Sequence, residues 1–241
     1  MQNMIEMQEI GKVFETQDFQ THALRNINIS IEQGEFVSIS GPSGCGKSTL
    51  LSIMGLLEPA STGRYWLAGQ PVDNLTFDQA AALRNLHIGF IFQSFNLVDA
   101  MSVFDNVALP LRYRVPKLSA QETRQRVMLC LEKVGLSHRV QHLPGQLSGG
   151  QQQRVAIARA LVTQPSILLV DEATGNLDSK SGDAVMGLIG ELHQQGTTIC
   201  MVTHDPRYAD MASRQVKLFD GELLGCGYTA PQTEISMYGP L

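Results

Sequence analysis

The sequence predicts an α/β domain with a largely parallel sheet, interrupted by a helical insertion. Three observations support this prediction. Short apolar runs typical of buried strands recur along the chain, helical patterns separate them, and one long central stretch has helical spacing. Strands that alternate with helices favour a parallel sheet, because parallel strands need long crossover connections.

The first half of the predicted sheet comes before the insertion. Residues 27–31 alternate apolar and polar side chains, as a half-buried strand does, and residues 32–34 form a turn. Residues 36–40 predict a buried strand, residues 47 to about 57 a helix, and residues 88–92 another short strand.

The insertion and the second half of the sheet follow. Residues 94–162 are predicted to be mostly helical, with apolar spacing of the kind seen at Val127, Leu131 and Val134. Residues 167–170 and 198–202 predict buried strands. A helix at 179–194 separates them and ends near Gly196, a plausible stop signal.

Composition limits the classes of function. The chain has 241 residues, 43% of them hydrophobic, which suits one globular domain. A net charge of −5 gives no footprint for nucleic acid. The four cysteines form no close pair, so neither a zinc site nor a redox motif is indicated, and reduced thiols favour the cytosol. No signal peptide and no membrane-length apolar run is visible, so any transport role requires a membrane partner.

A glycine-rich loop follows the strand at 36–40. It matches the G-x-x-x-x-G-K-[ST] phosphate-loop pattern, and the predicted nucleotide-binding residues are Gly41, Pro42, Ser43, Gly44, Cys45, Gly46, Lys47, Ser48 and Thr49. Glycines let several backbone N–H groups converge on one anion, and the following helix adds its positive end. We expect Lys47 to reach the β- and γ-phosphates and Ser48 to bind magnesium.

Two features of this loop also have purely structural interpretations. A glycine-rich turn before a helix would be purely structural, but the full motif between a strand and a helix makes that interpretation weak. Cys45 lies at a helix N-terminus, where a reactive thiol is one interpretation. The favoured interpretation is a small side chain tolerated between glycines.

Two acids follow the apolar strand at 167–170. The carboxyl ends of parallel strands are where α/β sheets bind ligands. Adjacent residues on a strand point to opposite sides, so Asp171 and Glu172 are expected to have different tasks. Asp171 suits the magnesium shell, and Glu172 suits a general base that polarises water. A solvated acidic turn is the alternative for either acid alone.

A second anion-binding helix start comes later in the chain. In Leu147-Ser148-Gly149-Gly150-Gln151, Ser148 can cap the following helix, and the two glycines expose its first N–H groups. By itself this pattern is also compatible with an ordinary helix start.

This segment, continued as Gln152-Gln153-Arg154-Val155-Ala156-Ile157-Ala158-Arg159-Ala160-Leu161, resembles the signature motif of ABC-transporter ATPases. Gln93 resembles the family's Q-loop glutamine, Gly175-Asn176-Leu177-Asp178 resembles its D-loop, and His204 resembles its switch histidine. Phe14 is similar in position to the aromatic residue that stacks on adenine. The resemblance covers roughly residues 5–225.

The resemblance implies a fold, a cofactor set and an assembly. The fold is a RecA-like P-loop core with an antiparallel β subdomain and an inserted helical subdomain. The implied catalytic residues are Lys47, Gln93, Glu172 and His204. Magnesium would bind Ser48, Gln93 and Asp171. Two copies would join head to tail, with each ATP between one phosphate loop and the partner's Ser148, Gly149, Gly150 and Gln151.

A narrower resemblance is to the macrolide-export and lipoprotein-release (MacB/LolD-like) group. Residues 83–97, 106–111 and 174–179 carry it. The group implies a separate permease, docked against residues 94–111, and a position on the cytoplasmic face of the membrane. Ala173 departs from the group, which usually has proline there, and this leaves Glu172 less constrained.

The resemblance also implies a single ABC ATPase domain, made of a core, a helical subdomain and a short tail. Its catalytic core and β subdomain would comprise residues 1–93 and 163–225, its helical subdomain 94–162, and a short tail 226–241.

Rival functions remain open at this point. An ABC importer ATPase would share these motifs. A soluble ABC ATPase acting on DNA or ribosomes would need a coiled-coil insertion or a second ATPase domain, and a basic surface. A P-loop kinase would lack the 147–151 segment, and an inactive regulator would lack Lys47, Asp171, Glu172 or His204.

Overall fold

The computed structural model describes residues 3–15 and 19–228 of the chain. Ten strands and seven α-helices alternate along it. The strands are β1 (Asn3–Glu15), β2 (Gln20–Glu32), β3 (Phe36–Ser40), β4 (Thr62–Leu67), β5 (Gln70–Pro71), β6 (Ile88–Ile91), β7 (Ile167–Asp171), β8 (Thr198–Val202), β9 (Arg214–Phe219) and β10 (Glu222–Tyr228). The helices are α1 (Lys47–Met54), α2 (Phe77–His87), α3 (Val103–Ala108), α4 (Ala120–Lys133), α5 (Gly149–Leu161), α6 (Ser179–Gln194) and α7 (Pro206–Ala209).

The larger sheet has the strand order β10-β9-β3-β8-β7-β6. Its strands pair in parallel from β9 through β6, and only β10 is antiparallel. The carboxyl ends of β3, β8, β7 and β6 therefore meet at one edge of the sheet. The residues that follow these strands are the phosphate loop, His204, Glu172 and Gln93, in that order.

The smaller sheet has the order β2-β1-β4-β5 and is antiparallel. Ile5, Met7 and Ile10 on β1 turn inward and join a core with Leu50 and Leu51 of α1. This sheet thus covers α1 and one face of the larger sheet, and it brings the start of β2 close to the phosphate loop.

Each central strand of the larger sheet contributes side chains to two hydrophobic cores, because successive side chains alternate between the faces of the sheet. In β7, Ile167 and Leu169 pack with α1 and the small sheet. Leu168 and Val170 pack on the other face, against α3, α4, α5 and α6. This two-sided burial explains why the strand is apolar without a break.

The helical region begins with an irregular segment and then winds into α3, a 3₁₀ turn at Leu109–Tyr113, α4 and α5. Ser119 and Ser148 cap α4 and α5, each in a reciprocal arrangement with the glutamate or glutamine three residues later. The prediction that Ser148 caps its helix is confirmed. The predicted division into 1–93, 94–162 and 163–225 stays a prediction.

Several predicted elements differ in extent. The first helix ends at Met54 instead of about Leu57, because Gly55 caps it and Leu56 takes a left-handed φ of +53°. The predicted tail at 226–241 lies largely outside the described residues, but β10 extends into its first three positions. Strands β1 and β4, helix α2 and the β9–β10 hairpin were not predicted from local pattern.

Candidate functional site

The phosphate loop connects β3 to α1 and opens into a cleft of about 560 Å³. Gly46 is the N-cap of α1, with a left-handed φ of +104°. A Cβ atom at this position would lie 2.5 Å from the Ala23 carbonyl oxygen, so both conformation and space require glycine. With no side chain to cap α1, its first N–H groups remain available to a bound anion.

Lys47 is almost fully buried, with 8% of its surface exposed. Its Nζ donates to the carbonyl oxygens of Gly41 at 2.9 Å and Pro42 at 2.8 Å. Among the ion pairs of residues 3–15 and 19–228, none involves Lys47. A buried ammonium whose hydrogen-bond partners are all neutral suits an anionic ligand such as a triphosphate.

Ser48, which lines the cleft, meets Asp171, although 123 residues separate them in sequence. The Ser48 hydroxyl donates to Oδ1 of Asp171 at 3.5 Å. Burial raises the pKa of Asp171, and the neighbouring charge of Glu172 adds to this, while Ser48 and Lys47 partly offset it. A desolvated carboxylate beside a hydroxyl is a fitting oxygen ligand set for a hard cation.

Glu172 lies just beyond β7, with a left-handed φ of +44°. Its amide donates to the Val202 carbonyl of β8 at 3.0 Å. The expectation that strand alternation separates Asp171 from Glu172 was therefore wrong, because Glu172 is outside the strand. Its turned backbone directs it into the cleft, where it lines the wall with His204. Ala173 leaves this conformation free of the restriction that proline imposes on the preceding residue.

Gln93 follows β6 and also lines the cleft. A Cβ atom at Gly175 would lie 2.5 Å from its Nε2, so the amide packs directly over that glycine. Asn176 Nδ2 donates to the Gln93 carbonyl at 3.1 Å. The predicted D-loop and Q-loop segments are therefore in direct contact.

The cleft gathers most, but not all, of the predicted residues. Those that line it are Gly41, Ser43, Gly44, Cys45, Gly46, Lys47, Ser48, Thr49, Gln93, Glu172 and His204. Pro42 does not line the cleft, but its carbonyl accepts a hydrogen bond from Lys47. Asp171 does not line it either, but its carboxylate accepts a hydrogen bond from Ser48, which does. Cys45 is buried, with its Sγ 4.0 Å from Lys47 Nζ.

Phe14 and the signature residues are not part of this lining. Phe14 has 41% of its surface exposed, and Lys12 Nζ lies 4.9 Å from its ring centroid. Its strand partner Thr21 lines the cleft, whereas residues 16–18, between them, lie outside the described residues. Ser148 is exposed at the start of α5, away from the lining.

The cleft also includes residues that sequence reasoning missed. His22 and Ala23 reach it from β2, and Asp220 and Gly221 come from the turn between β9 and β10. The Gly221 amide donates to the Cys45 carbonyl at 3.1 Å, which ties this turn to the phosphate loop. No local motif marks these four residues, because only the packing of the two sheets brings them here.

A phosphate loop after a parallel strand, with an acidic strand end beside it, defines the class of P-loop nucleoside triphosphatases. Comparisons with known proteins name the family within that class. The sequence profile of the ABC transporter family matches residues 24–175. An uncharacterized ABC transporter ATP-binding protein of Methanocaldococcus jannaschii is 47% identical over 221 residues, 92% of this chain and 98% of the relative.

Two further relatives extend the comparison. The macrolide export ATP-binding/permease protein MacB of Syntrophobacter fumaroxidans is 46% identical over 220 residues, 91% of this chain and 31% of that protein. The chain thus spans about a third of the MacB length. A dimeric ATP-binding cassette in a post-hydrolysis state, bound to ADP and Pi, superposes with a TM-score of 0.86 at 40% identity, over 93% of this chain and 98% of that one.

The chain belongs to the ABC transporter family, as an ATP-binding cassette that hydrolyses ATP. The predicted family and fold class are confirmed. No helix among residues 3–15 and 19–228 is long and apolar enough to span a membrane.

Proposed function

We propose that this ATPase works as a pair of identical subunits that close on ATP and drive a separate membrane permease of the MacB type. The single observation that carries the proposal is the division of the phosphate-binding groups. The cleft around Lys47 is built without Ser148, Gly149, Gly150 and Gln151, which begin another helix and do not line it. A second copy of the chain can supply them.

The assigned roles follow from the positions of the side chains. Lys47 offers its buried charge to the β- and γ-phosphates. Glu172, turned into the cleft, accepts a proton from the attacking water, and His204 orients Glu172 and the γ-phosphate. Phe14 is proposed to contact adenine, next to its cleft-lining strand partner Thr21.

Magnesium fits the oxygen atoms around Ser48 at the cleft. The Ser48 hydroxyl, the Asp171 carboxylate and the Gln93 amide oxygen are proposed to hold it. No group of three or more acidic, histidine or cysteine side chains among the described residues is arranged to hold a metal ion by itself. Few protein ligands are typical of Mg²⁺ that is shared with substrate phosphates. When bound, the ion supplies charge neutralisation at the phosphate oxygens.

The Ser148 hydroxyl can still form a hydrogen bond with a nucleotide bound by a partner subunit. Its Oγ accepts from the Gln151 amide at 3.3 Å, and its exposed hydroxyl hydrogen can still be donated. The first N–H groups of α5 and its positive end add to this anion site. The related cassette bound to ADP and Pi is dimeric, which supports the proposed homodimer.

The permease is proposed to dock in a groove of about 650 Å³ between α2, the end of β6 and the 3₁₀ turn. It is lined by residues that include Leu57, Phe77, Arg84, Phe90, Tyr113 and Arg159. Phe77 and Tyr113 have 84% and 72% of their surface exposed, which is unusual for aromatic side chains unless a partner covers them. The predicted docking segment 94–111 contributes Asn96 and Pro110 to this groove.

Export or force transmission across the membrane is proposed as the purpose, from the similarity to MacB proteins. The chain would then sit at the cytoplasmic face of the membrane, held there by its permease. The boundaries 1–93, 94–162 and 163–225 are proposed for its core and helical subdomain. An ABC importer ATPase would use the same site, and no described feature favours it or a nucleic-acid role.

The test is complementation between two inactive variants. Lys47→Ala removes the phosphate-loop charge, and Ser148→Arg blocks the signature helix start. If sites are shared, a mixed dimer has one intact composite site. With random pairing and independent sites, an equal mixture recovers about a quarter of the wild-type rate, since half the dimers have one of two sites. No recovery with both variants folded would contradict the shared site.

A further inference from the structure

A short segment at residues 92–96 has an unusual backbone. Phe95 and Asn96, which are consecutive, both take left-handed φ angles of +54° and +51°. The asparagine tolerates this conformation, but phenylalanine does not favour it. The Asn96 amide bonds only locally, to the Ser94 carbonyl. The conformation therefore depends on contacts from outside the segment.

Helix α5 supplies these contacts at three points. Gln153 Nε2 donates to the Phe92 carbonyl at 3.3 Å. Arg159 Nη2 donates to the Phe95 carbonyl at 2.7 Å, and its Nη1 donates to the Asn96 carbonyl at 2.5 Å. At the start of α5, a Cβ atom on Gly149 would lie 3.7 Å from the Phe95 ring, so ring and helix are in contact range.

Arg159 makes the strongest of these contacts. Among the ion pairs within residues 3–15 and 19–228, none involves Arg159. Burial lowers the pKa of its guanidinium, which indicates that the charge lies away from solvent. Its planar fork meets two successive carbonyls, and these are the carbonyls of the two left-handed residues.

The segment borders two different sites. Gln93 lines the nucleotide cleft, while Phe92, Asn96 and Arg159 itself line the apolar groove. On its other side, Gln93 is in contact with Gly175 and Asn176. A shift of residues 95 and 96 relative to α5 would therefore move both the Gln93 amide and the wall of the groove.

We propose that Arg159 is a positioning residue that fixes the Gln93 segment to α5 through the carbonyls of Phe95 and Asn96. This inference rests on the proposed role of Gln93 in the nucleotide site. Because α5 begins with the signature residues, Gln93 then follows the movement of that helix. Lysine cannot replace arginine here, since a single ammonium lacks the two parallel donors.

The experiment compares amide hydrogen exchange in Arg159→Met and Arg159→Lys with that in Arg154→Met. Arg154 is on the same helix and is also half-buried, but it lines a depression with Lys133 and Glu191. We expect exchange in residues 92–98 to be at least about tenfold faster in both Arg159 variants, and unchanged in Arg154→Met. If Arg159→Met is too unstable, Arg159→Lys decides.

Kinetics provide the second measurement. We expect kcat for ATP hydrolysis to fall about tenfold or more in Arg159→Lys, with KM for ATP changed less than about threefold, because misplacement of Gln93 affects the chemical step. Exchange and kcat at wild-type values, or equal loosening in Arg154→Met, would overturn the inference. An inactive wild-type chain would instead count against the proposed function. The hydrogen-exchange comparison would still test the positioning role of Arg159.

Discussion

His204 Nδ1 lies 3.3 Å from Oε2 of Glu172 across the ends of two neighbouring strands. His204 follows β8, and Glu172 follows β7 in a left-handed conformation that turns its carboxylate toward the histidine. The histidine side chain is 67% exposed and the glutamate 22% exposed. Both side chains line the cleft, so a γ-phosphate and a water molecule can approach the pair there.

Glu172→Gln tests this pair. Glutamine keeps the shape of the side chain but cannot accept a proton, so we expect kcat to fall at least about a hundredfold. Binding of ATP should persist, and an ATP-bound dimer should accumulate in size-exclusion chromatography. Glu191→Gln, on the exposed face of α6, is the control. Hydrolysis at the normal rate in Glu172→Gln would mean that Glu172 is not the base.

Lys47→Ala tests the phosphate loop. Its removal leaves the carbonyls of Gly41 and Pro42 without their donor and the phosphates without a buried cation. We expect ATP affinity, measured by calorimetry, to fall at least about a hundredfold. Lys133→Ala, an exposed lysine on α4, should bind ATP normally. Unchanged affinity in the Lys47 variant would contradict the nucleotide site.

Asp171→Asn tests whether the ionised Asp171 carboxylate destabilises the nucleotide-free protein. A carboxyl whose pKa is higher in the folded chain than in the unfolded chain contributes stability that is fully present below its unfolded pKa. That contribution is lost as pH rises through the folded pKa. The ionised Asp171 therefore lowers the stability of the nucleotide-free protein at neutral pH.

We expect Asp171→Asn to raise the thermal midpoint of the nucleotide-free chain at pH 7 in the presence of EDTA, and to abolish Mg²⁺-dependent hydrolysis. The stabilisation should shrink as pH falls through the folded pKa of Asp171 toward its unfolded pKa. Asp99→Asn, an exposed site, should change neither property. A lower midpoint for the Asp171 variant would show that its charge is stabilising instead.

Phe77→Ser tests the groove. Because Phe77 is 84% exposed, the substitution should change the free energy of unfolding by less than about 0.5 kcal/mol. We expect ATP binding to be unaffected, and binding to membrane vesicles that contain the permease to fall at least about tenfold. Leu129→Ser on α4, 51% exposed and outside the groove lining, is the matched control. Equal membrane binding by all three chains would exclude this groove as the docking site.

Much of the site could be predicted because its signals are local. The phosphate loop places glycines, Lys47 and Ser48 within eight residues, between a strand and a helix that are themselves clear in the pattern. The Ser148 cap and the Gln151 amide are likewise three residues apart. In such cases, a few neighbouring residues specify the backbone geometry that creates the anion site.

Phe14 shows the opposite case. Its predicted place beside adenine depends on how β1 and β2 run past the cleft. Its strand partner Thr21 lines the cleft, and the contact of Phe14 with adenine stays a prediction. Strand β1 itself was missed because its burial pattern is irregular, with register shifts along its pairing with β2. A bulged strand loses the period of two on which strand prediction depends.

The sequence by itself determined the family, several central strands and helices, and the side chains that carry charge into the site, since each of these depends on residue type and short spacing. Tertiary structure decided the left-handed turn of Glu172, the meeting of Ser48 with Asp171, and the attachment of residues 92–96 to Arg159. The physical reason is that the Ser48–Asp171 and Arg159–Asn96 contacts join residues 123 and 63 positions apart, and that the Glu172 amide bonds to the neighbouring strand β8. Only sheet order and helix packing bring such segments together.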